Sequence, residues 1–280
     1  MRLVIQGQPV LPEQLAHISS LTGSSARRIS ANAYCFAAAQ PDPETAVWCE
    51  SQQLDCACVP DTQNLDTIGL VVMDMDSTLI AIECIDEIAD MYGLKPQVAA
   101  ITESAMHGEI EFAESLRRRV ALLEGLDESA LQRVYDERLR LNPGAEFMLG
   151  ELKKHGIKTL LVSGGFTFFT DRLKARVGLD YAQSNTLEIV DGKLTGKVLG
   201  KILDAQGKAD ALNRLREELG LRKEQVVAIG DGANDLKMMG VAGAGIAYHA
   251  KPVVRAQATY ALNHVGLEGV IHLFSNKAGM

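Results

Sequence analysis

A chain of 280 residues, 47% of them hydrophobic and 23% charged, is long enough for two domains and has the composition of an ordinary globular protein. Its net charge of −8 disfavours nucleic acids and anionic membranes as partners, because both would repel it. No apolar stretch approaches the roughly 20 residues that span a bilayer, and the apolar start is too short for a signal peptide, so we expect a cytoplasmic protein.

The first 66 residues alternate between strand and helix patterns. Strands are predicted at 3–5, 31–37 and 55–59, and helices at 13–21 and 44–53. Residues 60–64 have the composition of a linker. We expect a small α/β domain that is regulatory, dimerising or simply stabilising. Its Cys56-Ala57-Cys58 has no second Cys or His pair, so zinc is not expected, and an odd total of five cysteines fits reduced thiols.

The next strand ends in a pair of carboxylates. The apolar run 68–73 is typical of a strand covered on both faces of a parallel sheet, and Asp74 and Asp76 follow it. In open α/β sheets, ligands bind at the carboxyl ends of strands. Side chains two apart in an extended segment point the same way, so their charges repel unless one carboxyl is protonated or a cation lies between them. The simpler alternative is an acidic loop after a strand.

Residues 81–142 interrupt the alternation with helical patterns at 85–92, 95–106, 111–123 and 128–139. A further helix is predicted at 145–155. The strand 157–162 then runs into Ser163-Gly164-Gly165 and a helix at 166–177. A hydroxyl and free backbone N–H groups at a strand-to-helix turn suit an anion, although a helix cap would look the same. Asp191-Gly192 predicts a hairpin that joins strands at 181–190 and 193–199.

A second acidic strand end lies far downstream. Lys208 precedes a helical pattern at 209–219, and the strand 225–229 runs into Gly230-Asp231-Gly232-Ala233-Asn234-Asp235. The glycines allow a tight turn, but Asp235 would repel a pyrophosphate, so a dinucleotide site is rejected. Two acidic strand ends in one pocket would suit a hard cation such as Mg²⁺, and Lys208 could contact a phosphate oxygen. The last strands are predicted at 243–247 and 259–262.

Four motifs in this order resemble the haloacid dehalogenase (HAD) superfamily of phosphohydrolases: Asp74-Met75-Asp76-Ser77-Thr78, the strand ending at Ser163, Lys208, and Gly230 to Asp235. The likeness covers about residues 68–270. Within the superfamily, Glu83 to Ala89 and Ser115 to Val120 resemble the phosphoserine phosphatases. The resemblance implies an α/β fold with a Rossmann-like parallel sheet as core (67–80 and 143–280), a helical cap (81–142) and a small N-terminal domain (1–66), which would be ACT-like.

The resemblance also implies roles for individual residues. Asp74 would be the nucleophile that forms an aspartyl-phosphate, and Asp76 the acid and base. Glu83 would bind the substrate amine and Arg119 its carboxylate. Further expected contacts to substrate or phosphate come from Ser163, Gly164, Lys208 and Asn234. Mg²⁺ would be held by Asp74, the Asp76 backbone carbonyl and Asp231, with Thr78 and Asp235 in support.

The expected activity is hydrolysis of L-phosphoserine to L-serine and phosphate, the last step of serine biosynthesis. Two alternatives stay open. One is a phosphatase or phosphotransferase of the superfamily that acts on another small phosphorylated metabolite. The other is a non-catalytic amino-acid sensor, although every motif residue is present. The partner is a small molecule rather than nucleic acid or membrane, and a homodimer is allowed.

Overall fold

The computed structural model describes residues 1–37 and 43–275, which contain two β-sheets. The first part of the chain forms β1 (Arg2–Gln6), α1 (Pro12–Thr22), β2 (Arg27–Ser30), β3 (Ala33–Ala37), α2 (Pro43–Ser51) and β4 (Asp55–Val59). Its antiparallel sheet has the order β2-β3-β1-β4. This βαββαβ arrangement is that of the ferredoxin-like split βαβ motif. The strand predicted at 31–37 begins at Ala33, and the sequence did not predict β2, which pairs with it in a hairpin.

The two faces of the N-terminal sheet pack against different neighbours. Leu3, Ile5 and Phe36 form a small core with Ile18 of α1 and Cys49 of α2. On the opposite face, apolar side chains join the main hydrophobic core of the molecule: Val4, Ile29, Cys35, Ala57 and Val59. Since side chains alternate between the faces of a strand, both faces of this sheet are covered by protein.

The second sheet contains β5 (Leu70–Met73), β6 (Lys158–Phe166), β7 (Tyr181–Val190), β8 (Lys193–Leu199), β9 (Val226–Gly230), β10 (Ala244–Tyr248) and β11 (Tyr260–Leu262). Their order is β11-β10-β9-β5-β6-β7-β8. All neighbouring pairs are parallel except β7 and β8, which form the hairpin predicted from Asp191-Gly192. The central strand β5 is buried over its whole length. The parallel α/β fold expected from the sequence is therefore confirmed.

Between β5 and β6 the chain forms the helices α3 (Cys84–Met91), α4 (Lys95–Met106), α5 (Phe112–Ala121) and α6 (Ser129–Arg133). The helix predicted at 128–139 is too long, because a wider π turn replaces it at Val134–Arg138. The two ends of the insert are joined to each other by one antiparallel bridge between Ile80 and Leu141, in which Ala81 N donates to Arg140 O and Asn142 N to Leu79 O. Its far end is hydrogen-bonded to β8, since Gly125 N donates to Leu194 O at 2.8 Å.

The remaining helices are α7 (Ala145–Lys154), α8 (Thr167–Val177), α9 (Ala205–Glu218), α10 (Leu236–Val241), α11 (Pro252–Arg255) and α12 (Glu268–Phe274). The sequence patterns did not predict α10, α11 or α12, which are short. In α12 every residue after the first is buried, so it has no polar face that would mark it as a helix. No helix in residues 1–37 and 43–275 has the length and apolar character to span a membrane. The predicted core range extends to residue 280, but residues 276–280 lie outside the described part of the chain.

Candidate active site

The sheet order brings three polar strand ends to one edge. Strand β5 lies between β6 and β9, and all three run in parallel. Asp74 therefore lies beside the residues that follow β9, and its N–H donates to Ile229 O at 3.0 Å. Thr78 Oγ1 donates to Asp231 Oδ1 at 2.9 Å across a sequence separation of 153 residues. The two acidic clusters predicted to share a pocket do meet.

The loop after β5 is a single wide turn, Met75–Leu79. Ser77 adopts a left-handed conformation with φ of +56°, which is uncommon for a residue with a Cβ. Asn142, at the return from the helical insert, secures this loop because its Nδ2 lies within 2.8 Å of Thr78 O and 3.2 Å of Ile80 O. The backbone strain at Ser77 is thus held in place by neighbours, as is common at functional sites.

Lys208 is buried between two carboxylates. Its Nζ lies 2.8 Å from Asp74 Oδ1 and 2.8 Å from Asp235 Oδ1, and only 1% of the residue is exposed. Burial by itself would lower the pKa of Lys208, but the charges of Asp235 and Asp74 outweigh it and raise the pKa above its usual value. The ammonium group therefore stays charged at physiological pH.

Three carboxylates converge at this edge and exceed the charge that Lys208 can balance. One oxygen each of Asp74, Asp231 and Asp235 lie within 4.8 Å of one another. Burial, followed by the charge of Asp235, raises the pKa of both Asp74 and Asp231. A surplus of buried negative charge on oxygen donors is the environment that a hard divalent cation neutralises. Asp235 belongs to this group, whereas the side chain of Asp76 does not.

The carboxyl of Asp76 turns toward the start of the helical insert. Its Oδ1 accepts a hydrogen bond from Cys84 N at 3.2 Å. Burial of this carboxyl raises its pKa to about 6, against the opposing effect of the Cys84 hydrogen bonds. A carboxyl that titrates near neutrality can both donate and accept a proton at physiological pH.

The end of β6 comes close to Asp76 because Gly165 has no side chain. A Cβ at Gly165 would lie 3.0 Å from Asp76 Oδ2 and 3.0 Å from Ser163 Oγ. Ser163 Oγ accepts the Gly165 N–H at 2.8 Å. On the neighbouring strand, Asn185 donates to Gly164 O and accepts from Leu203 N, both at 2.8 Å. This amide fixes the turn that presents the Ser163 hydroxyl.

Glu83 and Arg119 bring opposite charges from the helical insert. Ser77 Oγ donates to Glu83 Oε1 at 2.7 Å. Desolvation by the surrounding protein, and then the charge of Asp76, raise the pKa of Glu83, although solvent at this exposed position screens the effect. Burial lowers the pKa of Arg119 against the influence of Asp86 and Glu83. Its Nε is buried without a hydrogen-bond partner among the described residues.

Helix α5 reaches the sheet through Phe112. A Cβ at Gly164 would lie 3.0 Å from Phe112 Cζ, so the ring rests on the turn after Ser163. Met106, the last residue of α4, is 65% exposed. Asn234 lies in the short 3₁₀ turn Ala233–Asp235, close to the acidic group.

A model of the haloacid dehalogenase-like hydrolases matches residues 71–240, a range that contains each of these strand ends. The chain belongs to this family. A phosphoserine phosphatase from Polaromonas sp. strain JS666 is 53% identical over 219 residues, which are 76% of this chain and 92% of that relative. Its similarity to phosphoserine phosphatases extends to solved structures.

The unliganded crystal structure of a probable phosphoserine phosphatase from Vibrio cholerae superposes with a TM-score of 0.85 at 41% identity and covers 98% of this chain and 86% of that one. A substrate-bound phosphoserine phosphatase complex superposes with a TM-score of 0.70 at 38% identity. The match covers 74% of this chain and 99% of the chain in that complex. Within the hydrolase family, the chain is thus one of the phosphoserine phosphatases.

Three residues of this hydrolase site escaped the sequence patterns: Ser77, Asn142 and Asn185. Each acts by holding another group, namely Glu83, the Met75–Leu79 turn and Gly164. The Asp191-Gly192 hairpin could have placed Asn185 on a strand beside β6. Nothing local identifies its partner, because Gly164 and Asn185 are 21 residues apart.

Proposed function

We propose that this hydrolase converts O-phospho-L-serine to L-serine and phosphate through an aspartyl-phosphate on Asp74. The observation that carries the proposal is the pair Glu83 and Arg119 above the Asp74 and Asp76 strand end. A carboxylate and an unpaired guanidinium fit the ammonium and carboxylate of an amino acid. The named relatives support the same substrate.

In the first step an Asp74 oxygen bonds to phosphorus, and the bond from phosphorus to the seryl oxygen breaks. Asp76 gives its proton to the departing seryl oxygen, which the raised pKa of this carboxyl permits. In the second step a water molecule attacks phosphorus and Asp76 accepts its proton. The bond to Asp74 then breaks, phosphate leaves, and both carboxyls return to their starting states.

Other residues of the chain bind the phosphoryl group. Ser163 Oγ, the backbone N–H groups of the following glycines and Asn234 supply hydrogen-bond donors, and Lys208 supplies a positive charge beside Asp74. Thr78 holds Asp231, and Asp235 orients Lys208. These contacts stabilise charge that moves between the phosphoryl oxygens during transfer.

The residues fit a bound Mg²⁺, because buried carboxylates outnumber the available positive charge. Asp74, Asp231 and the backbone carbonyl of Asp76 would hold the ion, with Asp235 beside them. Bound there, it would offset negative charge on the phosphoryl oxygens. The cytoplasmic location, the place in serine biosynthesis and a homodimer belong to the same proposal, as do a cap at 81–142 and a regulatory or dimerising N-terminal domain.

The test is phosphate release by the purified full-length chain with Mg²⁺ from phosphoserine, phosphothreonine and phosphoethanolamine. We expect kcat/KM to be highest for phosphoserine, since only it and phosphothreonine offer both charges to Glu83 and Arg119. A higher value for phosphoethanolamine or for another small phosphate ester would favour the alternative phosphatase. No release from any ester would favour the non-catalytic sensor.

Removal of divalent ions tests the metal part of the proposal separately. Dialysis against a chelator should abolish turnover, and added Mg²⁺ should restore it. Titration calorimetry should detect binding of Mg²⁺ to the ion-free wild-type protein and no binding to the Asp231→Asn variant. An undiminished rate after complete chelation would exclude the metal site while leaving the substrate assignment intact.

A further inference from the structure

Two buried polar atoms of helix α5 have no hydrogen-bond partner within the described part of the chain: Ser115 Oγ and Arg119 Nε. Ser115 is only 1% exposed. A buried hydroxyl without a partner destabilises a protein, and most such groups are satisfied. A serine inside a helix can bond the carbonyl four residues back, but Ser115 Oγ does not bond Glu111 O. The proposed contact of Arg119 with the substrate carboxylate gives no role to Ser115.

Ser115 and Arg119 lie on the same side of α5 as Phe112. Phe112 contacts the turn at Gly164, and Arg119 is close enough to Glu83 and Asp76 for their charges to act on it. Residues 112, 115 and 119 follow one another at helical spacings of three and four, which place them on one side of a helix. Ser115 therefore lies between two side chains that face the site.

The hydrogen-bonding character of Ser115 Oγ and Arg119 Nε indicates which kind of ligand they would bind. Arg119 Nε–H is a charged donor, and the Ser115 hydroxyl is a neutral donor one turn away. An anion with two acceptor oxygens satisfies both at once, and a carboxylate has this geometry. The burial of Ser115 keeps water from competing for its hydrogen bond.

We propose that Ser115 is a substrate-binding residue, whose hydroxyl donates a second hydrogen bond to the carboxylate that Arg119 pairs with. This inference rests on the proposed function and extends it. It assigns to the hydroxyl a share of the selectivity for phosphorylated amino acids over phosphorylated amines. Loss of a hydrogen bond to a charged group weakens binding by roughly tenfold or more.

The experiment compares Ser115→Ala with the wild-type enzyme on phosphoserine and on phosphoethanolamine, which lacks the carboxylate. We expect KM for phosphoserine to rise about tenfold with kcat changed less than about twofold, and kcat/KM for phosphoethanolamine to stay unchanged. Ser115→Thr keeps the hydroxyl and should retain part of the affinity. Ser104→Ala, on α4 of the same insert, is the matched control and should leave both substrates unaffected.

A second readout is the thermal midpoint. Ser115→Ala removes the unpartnered hydroxyl, so the ligand-free midpoint should hold or rise, while the upward shift caused by phosphoserine should shrink. Equal losses on both substrates would overturn the inference in favour of a structural role, and so would an unchanged KM for phosphoserine. If the wild-type enzyme does not hydrolyse phosphoserine, the proposed function fails first, and this inference with it.

Discussion

Lys208 shows how a single side chain makes the cluster of carboxylates tolerable. It contacts Asp74 and Asp235 at the same distance, 2.8 Å, in a region where unpaired charges are costly. Because one cation faces several carboxylates, the ligand-free site keeps a surplus of negative charge. Burial, and then the charge of Asp235, raise the pKa of Asp74. The same surplus would attract the proposed Mg²⁺, and it would repel an anionic phosphoryl group until a cation offsets it.

Replacing Asp74 with asparagine should abolish turnover and preserve the fold. The amide cannot act as the nucleophile, so kcat should fall by roughly 10⁴-fold or more. The thermal midpoint should hold or rise, because the variant removes a buried carboxyl that resists ionisation. Phosphate release and a melting curve check this, with the exposed Asp171→Asn as control. Turnover near the wild-type rate would remove Asp74 from the mechanism.

Replacing Lys208 with methionine should lower the free energy of unfolding by about 3–5 kcal/mol at pH 8, since it leaves two buried carboxylates without a cation. The loss should be smaller at pH 5, where Asp74, whose pKa is raised by burial, takes up a proton more readily. Urea unfolding at both pH values measures it, and the exposed Lys201→Met should cost almost nothing. Equal losses at the two pH values would show that packing, not charge, dominates.

At the scale of elements, backbone hydrogen bonds hold the helical insert at two places. At its base, Ala81 N donates to Arg140 O and Asn142 N to Leu79 O, which joins the two ends of the insert to each other. A second set joins Gly125 and Glu128 to the β7–β8 hairpin. Helix α4, which ends at the exposed Met106, has no such bond to a sheet among the described residues. We therefore expect α4 to open more easily than the two anchored parts of the insert.

Asn142 connects this element to the chemistry, because one amide group binds carbonyls on the turn after β5. We expect Asn142→Ala to lower the free energy of unfolding by about 1–3 kcal/mol and kcat by more than tenfold, since the turn positions Asp74 and Asp76. Urea unfolding and steady-state kinetics check both. Asn213→Ala on α9 is the control, since Asn213 makes no side-chain hydrogen bond to the described residues. A stability loss with normal kcat would show that the turn keeps its shape without Asn142.

At the scale of the whole molecule, the N-terminal sheet is attached to the C-terminal segment of the chain. Several polar groups buried at its contact with the C-terminal segment are hydrogen-bonded across it: Gln6 Nε2 donates to Gly269 O, and Asp55 accepts from the backbone N–H groups of Asn263 and His264. Arg2 donates to Leu273 O. With the apolar face described above, these bonds make the N-terminal part an integral support for the end of the chain.

His272 makes this contact sensitive to acid. Its Nδ1 lies 2.9 Å from Gln6 Oε1, and burial lowers its pKa below 6.5. His272 therefore binds a proton less readily in the folded protein than in the unfolded chain. As a result, the free energy of unfolding decreases as the pH falls below 6.5. Asp55, whose pKa burial raises, has the opposite trend.

A comparison of variants isolates the histidine. His272→Asn keeps a donor for Gln6 but cannot take up a proton, so its free energy of unfolding should fall less than that of the wild-type protein between pH 7.5 and pH 5. Urea unfolding at the two pH values measures the difference, and the exposed His107→Asn should behave as wild type. A parallel decline in both proteins would assign the acid sensitivity to other groups.

The sequence by itself determined the elements with strong local signals and the motif residues at their ends. Apolar runs marked β5 and β9, Asp-Gly marked the β7–β8 hairpin, and helical spacing placed α4 at the residues it occupies, 95–106. These features depend on neighbours along the chain, which is why a pattern reveals them. Two short elements lack such patterns: β2, in which only Ile29 is buried, and α12, which is buried after its first residue.

The tertiary structure alone decided which charged groups meet. The sequence identified Lys208 as one of the four motifs. Its position between Asp74 and Asp235 follows from the order of the strands. The roles of Asn142, Asn185 and Ser115 could not be read from the sequence, because their partners, or the lack of one, arise only when distant segments pack. The sequence therefore specified the side chains of the candidate site, and the fold specified the surroundings that set their charge and position.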